Sequence, residues 1–64
     1  MPRITVQMFE GRTVEQKRQL IAGVTDVVVR TCGADPDHVT VVIDEMKREN
    51  YGHGGKMIYV PEEQ

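Results

Sequence analysis

The chain has few of the residues that hold very small domains together by covalent or metal links. Cys32 is the only cysteine among 64 residues, so an intrachain disulfide is excluded. His38 and His53 are far apart in the sequence and lack the spacing of a structural zinc site. A domain of this length buries only ~60% of the surface that its unfolded chain exposes. The sequence therefore predicts that association with other subunits completes the core, with Cys32 as a small buried apolar residue.

Long apolar runs and a strong charge imbalance are also missing. No segment has the ~20 apolar residues of a transmembrane helix, and none has the pattern of a signal peptide. The formal net charge of −2 gives no reason to expect nucleic-acid binding. We therefore expect a cytoplasmic protein with no nucleic-acid and no membrane partner, and residues 1–64 are interpreted as one domain.

The first half of the chain has the pattern of a strand followed by a helix. Apolar and polar residues alternate over residues 3–9, which is the period of a half-buried strand. Thr13 and Gln16 have the spacing of a capping box, in which two side chains satisfy free backbone amides at a helix start. Apolar residues then recur at helical spacing, and Gly33 is placed to end the helix.

The second half predicts a further strand and a hairpin. The strand covers residues 39–46, and because a helix joins it to the first strand, we expect the two strands to be parallel with a right-handed crossover. Residues 50–55 include several that tolerate positive φ, and a short hairpin is predicted over residues 56–60. The predicted fold class is α+β (α/β), a β-α-β protomer with parallel strands and a short C-terminal β-hairpin.

A single helix covers only one face of such a sheet. The opposite face contains Thr5, Thr40 and Val42, a mixed surface suited to a subunit interface. An active site at that interface would draw residues from more than one chain.

Pro2 is the first candidate for chemistry. If Met1 is removed, which the small side chain of Pro2 favours, Pro2 carries a secondary amine at the start of a strand. An α-amino group titrates near ~7.7–8.0, so its neutral form is abundant close to neutral pH and suits a general base. The alternative is an ordinary second residue, since proline is common there.

Arg12 and Tyr51 are candidates for contact with a substrate. Arg12 follows the first strand, and its guanidinium is suited to a carboxylate, although a solvated loop arginine is the simpler interpretation. Tyr51 lies in a glycine-rich segment and either lines a pocket or packs within the hairpin. Pro2 and Arg12 are expected at opposite ends of the first strand, so neighbouring subunits would have to bring them together.

These motifs resemble the 4-oxalocrotonate tautomerase (2-hydroxymuconate tautomerase) family of the tautomerase superfamily. The similarity runs in register over nearly the whole chain, up to about Gly55. It is carried by Met1-Pro2 with the strand that follows, Glu10-Gly11-Arg12-Thr13, Glu15-Gln16-Lys17, Leu20-Ile21, Val41-Val42-Ile43-Asp44-Glu45-Met46 and Tyr51-Gly52-His53-Gly54-Gly55.

The resemblance implies a hexamer built as a trimer of dimers and a keto-enol tautomerase that needs no cofactor and no metal. Pro2 would be the general base that moves a proton within an unsaturated 2-hydroxy or 2-oxo acid such as 2-hydroxymuconate. Arg12 would bind the distal carboxylate of that substrate and draw electron density toward it. Tyr51 matches an aromatic position that makes the pocket apolar.

Thr40 is a departure from the family pattern. The family has a second arginine at this position, which reaches in from a neighbouring subunit and holds the 1-carboxylate and 2-oxygen of the substrate. The Thr40 hydroxyl donates one neutral hydrogen bond and cannot replace a charged bidentate pair. Either the substrate differs or another cation takes over, and the sequence does not choose among the available ones, which are Arg3, Lys47, Arg48 and Lys56.

Two other functions stay open from the sequence. One is a non-catalytic oligomeric relative that retains the fold for packing. The other is a hydratase or dehalogenase of the same superfamily that acts on an unsaturated acid. That chemistry needs an added carboxylate to activate water, and no residue of the chain is marked as one by its position.

Overall fold

The computed structural model describes residues 2–58 and has the predicted order of strand, helix, strand and hairpin. Strand β1 covers Arg3–Phe9, helix α1 covers Val14–Cys32 and strand β2 covers Thr40–Met46. The hairpin consists of β3, Gly52–His53, and β4, Lys56–Met57. Short 3-10 turns at Pro36–His38 and Arg48–Asn50 lie on either side of β2.

Strands β1 and β2 pair in parallel, as predicted from the helical connection between them. The register places Arg3 opposite Thr40 at one end and Phe9 opposite Met46 at the other. Because side chains alternate along a strand, paired residues of the two strands share a face of the sheet. The register therefore decides which residues meet on each face.

The ends of α1 are set by local interactions that the sequence predicts. The Gln16 backbone N–H donates to the Thr13 hydroxyl at 3.1 Å, and the Thr13 N–H donates to the Gln16 side-chain oxygen at 2.9 Å. At the other end, the N–H of Gly33 donates to the Val29 carbonyl at 3.0 Å. Neither α1 nor any other helix within residues 2–58 has the length and apolar character needed to span a bilayer.

Helix α1 packs against the face of the sheet that carries the even-numbered residues of β1. Ile4 lines one apolar groove with Leu20 and Val24 of the helix. The Lys17 ammonium also contacts the Glu45 carboxylate of β2 at 2.8 Å, which links the first turns of α1 to the end of the sheet. In the described part of the chain, no helix covers the opposite face of the sheet.

Within residues 2–58, no side chain of the protomer is fully buried. Ile4, which faces the helix, is only half-buried, and large apolar side chains remain open to solvent. Val27 is 47% exposed and Ile21 is 39% exposed. The protomer thus leaves uncovered much of the apolar surface that would stabilise a folded chain.

Two local predictions were wrong in detail. The hairpin lies at Gly52–Met57, earlier than predicted, because Gly54 and Gly55 have φ angles of 61° and 83° and form its tight turn. A two-residue hairpin turn with positive φ at both positions favours glycine there. The position of this turn decides which residues of β3 and β4 pair. Residues 59–60 of the predicted hairpin lie outside the described range. Cys32 is exposed at the end of α1, not buried.

Candidate functional site

Pro2 and Thr40 lie together at one end of the sheet. The Thr40 N–H donates to the Pro2 carbonyl at 3.1 Å, which holds Pro2 against the start of β2. Pro2 is half-buried, and Arg3 lies opposite Thr40 in the strand register. The hydrogen bond continues the pairing of the sheet to Pro2 and restrains its backbone against fraying.

Arg12 lies at the opposite end of β1, in the loop that leads into α1. The Glu10 N–H donates to the Met46 carbonyl at 2.9 Å, so the start of this loop is bound to the end of β2. Gly11 has a φ of 124°, a conformation that glycine adopts readily and other residues rarely do. This turn directs the chain away from the sheet immediately before Arg12.

Arg12 lines a surface groove of about 570 Å³ on the end of the sheet, here called the aromatic groove. The walls come from the ends of β1 and β2, the turn after β2 and the hairpin. The lining residues are Gln7, Met8, Phe9, Arg12, Met46, Arg48, Tyr51 and Ile58. The structure thus brings Arg12 and Tyr51 to the same concave surface.

Contacts around Phe9 organise the aromatic groove. The rings of Phe9 and Tyr51 meet edge to face, with centroids 5.6 Å apart and an angle of 88° between their planes. The Arg48 guanidinium carbon lies 4.5 Å from the centroid of the Phe9 ring. The Ile58 N–H donates to the Tyr51 carbonyl at 2.9 Å and joins the hairpin to this wall. Tyr51 keeps 38% of its surface exposed, so it is open to a bound molecule.

Among residues 2–58, the lining of the aromatic groove includes two guanidinium groups, Arg12 and Arg48, and no carboxylate. Within the described part of the chain, neither arginine forms an ion pair, whereas Lys17 and Arg18 pair with Glu45 and Glu15. An apolar, aromatic surface with unpaired guanidiniums is suited to a flat organic anion. No group of His, Cys, Asp and Glu side chains among residues 2–58 is arranged to hold a metal ion.

The four predicted site residues fall into two pairs at opposite ends of the protomer. Pro2 and Thr40 form one pair, and Arg12 and Tyr51 form the other. Strand β1 has seven residues and spans ~20 Å at ~3.3 Å per residue. A six-carbon acid is roughly 7 Å long, since its carbon–carbon bonds are about 1.5 Å. No such molecule could contact both pairs within one protomer.

Sequence reasoning missed Phe9 as part of this surface and did not single out Arg48. Phe9 follows Met8 directly, so the alternation of β1 places Phe9 on the face opposite the helix. An aromatic residue on an uncovered sheet face, beside Met46 of β2, was the available indication of a binding surface.

Comparison with known proteins identifies the family. A family model described as tautomerase enzyme matches residues 2–60. The chain belongs to the tautomerase family.

Close relatives and solved structures agree with this membership. The tautomerase is 47% identical over 58 residues to 2-hydroxymuconate tautomerase of Bacillus subtilis, covering 91% of this chain and 94% of the relative. It is also 47% identical over 58 residues to a probable tautomerase of Halalkalibacterium halodurans, with 91% and 95% of the two chains covered.

Solved structures show the same architecture. The crystal structure of YwhB, a homologue of 4-oxalocrotonate tautomerase, has a TM-score of 0.83 at 46% identity and covers 88% of this chain and 92% of its own. A 4-oxalocrotonate tautomerase isozyme from Methylibium petroleiphilum has a TM-score of 0.80 at 43% identity, with 88% of each chain covered. The predicted β-α-β fold and the family resemblance are confirmed. This tautomerase is an enzyme of the isomerase class that interconverts keto and enol forms.

Proposed function

We propose that this tautomerase ketonises 2-hydroxymuconate or a similar unsaturated 2-hydroxy acid, with the Pro2 amine as general base. The observation that carries the proposal is the aromatic groove, where Arg12 lies beside apolar walls without an ion-pair partner among residues 2–58. The 47% identical relative from Bacillus subtilis, named 2-hydroxymuconate tautomerase, supports this choice of substrate.

Pro2 acts after Met1 has been removed, because only then is its nitrogen a basic amine. The neutral amine accepts the proton of the 2-hydroxyl group of the dienol. The 2-oxygen becomes a carbonyl, the diene electrons shift toward the distal end, and a proton from the amine is delivered to carbon 5. The product is the conjugated ketone, and the amine is neutral again. An α-amino group with an ordinary pKa of ~7.7–8.0 performs both transfers near neutral pH.

Arg12 binds the distal carboxylate of the substrate through two charge-assisted hydrogen bonds. A positive charge at that end stabilises the electron density that moves toward carbon 5 during the reaction. Phe9 and Tyr51 exclude water along the diene, which strengthens this electrostatic effect because the local dielectric constant falls. The substrate's own carbonyl delocalises the developing charge, so the chemistry needs no cofactor.

The Thr40 N–H donates to the Pro2 carbonyl at 3.1 Å. In this proposal, the Thr40 hydroxyl donates to the 1-carboxylate or the 2-oxygen of the substrate. This contact is neutral and therefore weaker than one from an arginine. We expect the proximal end of the substrate to be held less firmly than the distal end.

Two observations support an active site shared between subunits of a homo-oligomer. Pro2 and Arg12 are ~20 Å apart along β1, which is more than the substrate can bridge. The protomer buries no side chain fully within the described residues, so it has a large surface available for association. A hexamer built as a trimer of dimers would place Pro2 of one subunit beside Arg12 of another.

The test is the rate of 2-hydroxymuconate ketonisation, followed by the loss of dienol absorbance. Pro2→Ala should lower kcat strongly and leave the oligomer intact. Arg12→Gln should lower kcat/KM by about 10²–10³, which is the usual loss for a group that stabilises transition-state charge. Arg30→Gln removes an exposed arginine from the last turn of α1 and serves as the matched control.

Absence of turnover in wild-type protein that is shown by mass to lack Met1 would refute the assignment. So would full activity of Pro2→Ala, or equal losses in Arg12→Gln and Arg30→Gln.

A further inference from the structure

We propose that Arg48 is a second carboxylate-binding residue, which holds the distal carboxylate of a dicarboxylate substrate together with Arg12. This inference rests on the proposed function and deepens it, because it assigns two guanidiniums to one carboxylate of the substrate. The observation behind it is the pair of guanidiniums that line one aromatic groove.

Arg48 is held in place by its neighbours. It begins the 3-10 turn Arg48–Asn50, which is separated from β2 by Lys47, and the N–H of Asn50 donates to the Lys47 carbonyl at 2.9 Å. The Tyr51 N–H donates to the Arg48 carbonyl at 3.2 Å. The guanidinium lies over the Phe9 ring, a cation–π contact that restrains the side chain.

Arg48 has no ion-pair partner among residues 2–58, so its guanidinium is available to an anion from outside the chain. Glu10 and Glu49 lie beside it on an adjoining surface, but among the described residues neither forms an ion pair with it. Arg12 and Arg48 are both exposed and line the same groove, so their like charges face one another across it. A carboxylate between them offsets these like charges and accepts hydrogen bonds from both.

Among residues 2–58, the other candidate cations lie elsewhere. Arg3 pairs in register with Thr40 at the far end of β1, and neither Lys47 nor Lys56 lines the aromatic groove. Lys47 is exposed and directly precedes Arg48. It therefore provides a control that removes the same charge from almost the same place without touching the groove.

The experiment compares two six-carbon dienes, trans,trans-muconate, which is a dicarboxylate, and sorbamide, which has no carboxylate. Calorimetry measures the binding of each to the intact oligomer, and neither probe has a hydroxyl group to ketonise. Wild-type protein should bind muconate at least about tenfold more tightly than sorbamide, since the charge-assisted contacts are absent from the neutral amide. Arg48→Gln should weaken muconate binding about tenfold and leave sorbamide binding unchanged.

Two further variants test whether the loss of affinity comes from the Arg48 guanidinium itself. Lys47→Gln should bind both probes as the wild type does. Arg48→Lys keeps the charge but loses the planar guanidinium that lies over Phe9, so its affinity for muconate should fall between those of the wild type and Arg48→Gln.

Unchanged muconate affinity in Arg48→Gln would overturn the inference, and so would equal weakening of both probes. Equal losses in Lys47→Gln and Arg48→Gln would show a general field effect and would also overturn it. The proposed function is tested by a different measurement, the rate of ketonisation and its dependence on Pro2, so the two can fail independently. A protein that binds muconate through Arg48 but ketonises nothing would retain the anion site and lose the proposed reaction.

Discussion

A mixing experiment tests whether each active site combines Pro2 of one subunit with Arg12 of another. A Pro2→Ala subunit keeps Arg12, and an Arg12→Gln subunit keeps Pro2. The two residues lie at opposite ends of the seven-residue strand β1, ~20 Å apart. Neither variant alone contains a complete site, but mixed oligomers should contain some.

The fraction of activity that is recovered depends on whether Pro2 and Arg12 of one site come from the same subunit or from different subunits. In an equal, random mixture, half of the subunits offer an intact Pro2 and half offer an intact Arg12. If the two residues come from different subunits, about one quarter of the sites have both, by independent sampling in a symmetric oligomer. If both came from one subunit, no site would be complete.

A second mixture gives an independent measurement of the fraction of complete sites. Wild-type subunits mixed equally with the double variant Pro2→Ala, Arg12→Gln also give about one quarter of complete sites when the residues come from different subunits. They would give about one half if each subunit contained its own site. The two mixtures therefore agree under one arrangement and differ under the other.

The assay uses co-expression of the two variants with different affinity tags and initial rates of 2-hydroxymuconate ketonisation. Intact mass gives the ratio of the two chains in the purified oligomer. A recovered rate near one quarter of the wild type, above the residual rates of both parents, is expected. A mixed oligomer whose rate does not exceed the average of its parents would refute the reasoning.

Three further outcomes are expected. Intact mass of the protein from cells should be lower than the full sequence by one methionine residue, and a mass that includes Met1 would remove Pro2 as the base in that preparation. In the absence of Met1, kcat/KM should rise with pH as the amine loses its proton and then level off, because the base works when neutral; a flat profile from pH 6 to 9 would contradict this. Thr13→Ala should lower the free energy of unfolding by about 0.5–2 kcal/mol, measured by urea denaturation, because it breaks the capping box. Thr31→Ala, in the last turn of the same helix, should change it little, and similar losses in both would argue against the cap.

The elements that could be predicted from the sequence are those with local causes. The capping box at Thr13 and the glycine at residue 33 set the ends of α1 within a few residues of the chain. The alternation of β1 fixed its bounds for the same reason. The hairpin was misplaced because the position of its turn depends on which glycines take positive φ, and several were available.

The candidate site could be predicted only in part. The separation of Pro2 from Arg12 follows from strand length alone and was expected. The contact of Arg48 with Phe9 joins the end of β1 to the turn after β2, and it requires the parallel register in which Phe9 lies opposite Met46. The register cannot be predicted from the spacing of residues in the sequence. The position of the Arg48 guanidinium in the aromatic groove could therefore be found only from the structure.

The absence of a fully buried side chain within residues 2–58 has a consequence for how this enzyme responds to its own concentration. If subunits supply one another with both a core and a catalytic partner, folding, assembly and activity form a single equilibrium. Specific activity would then fall on dilution below the assembly constant, and a substrate analogue that bridges two subunits would restore it. For such a protein, dilution acts as a denaturant does on a monomeric enzyme.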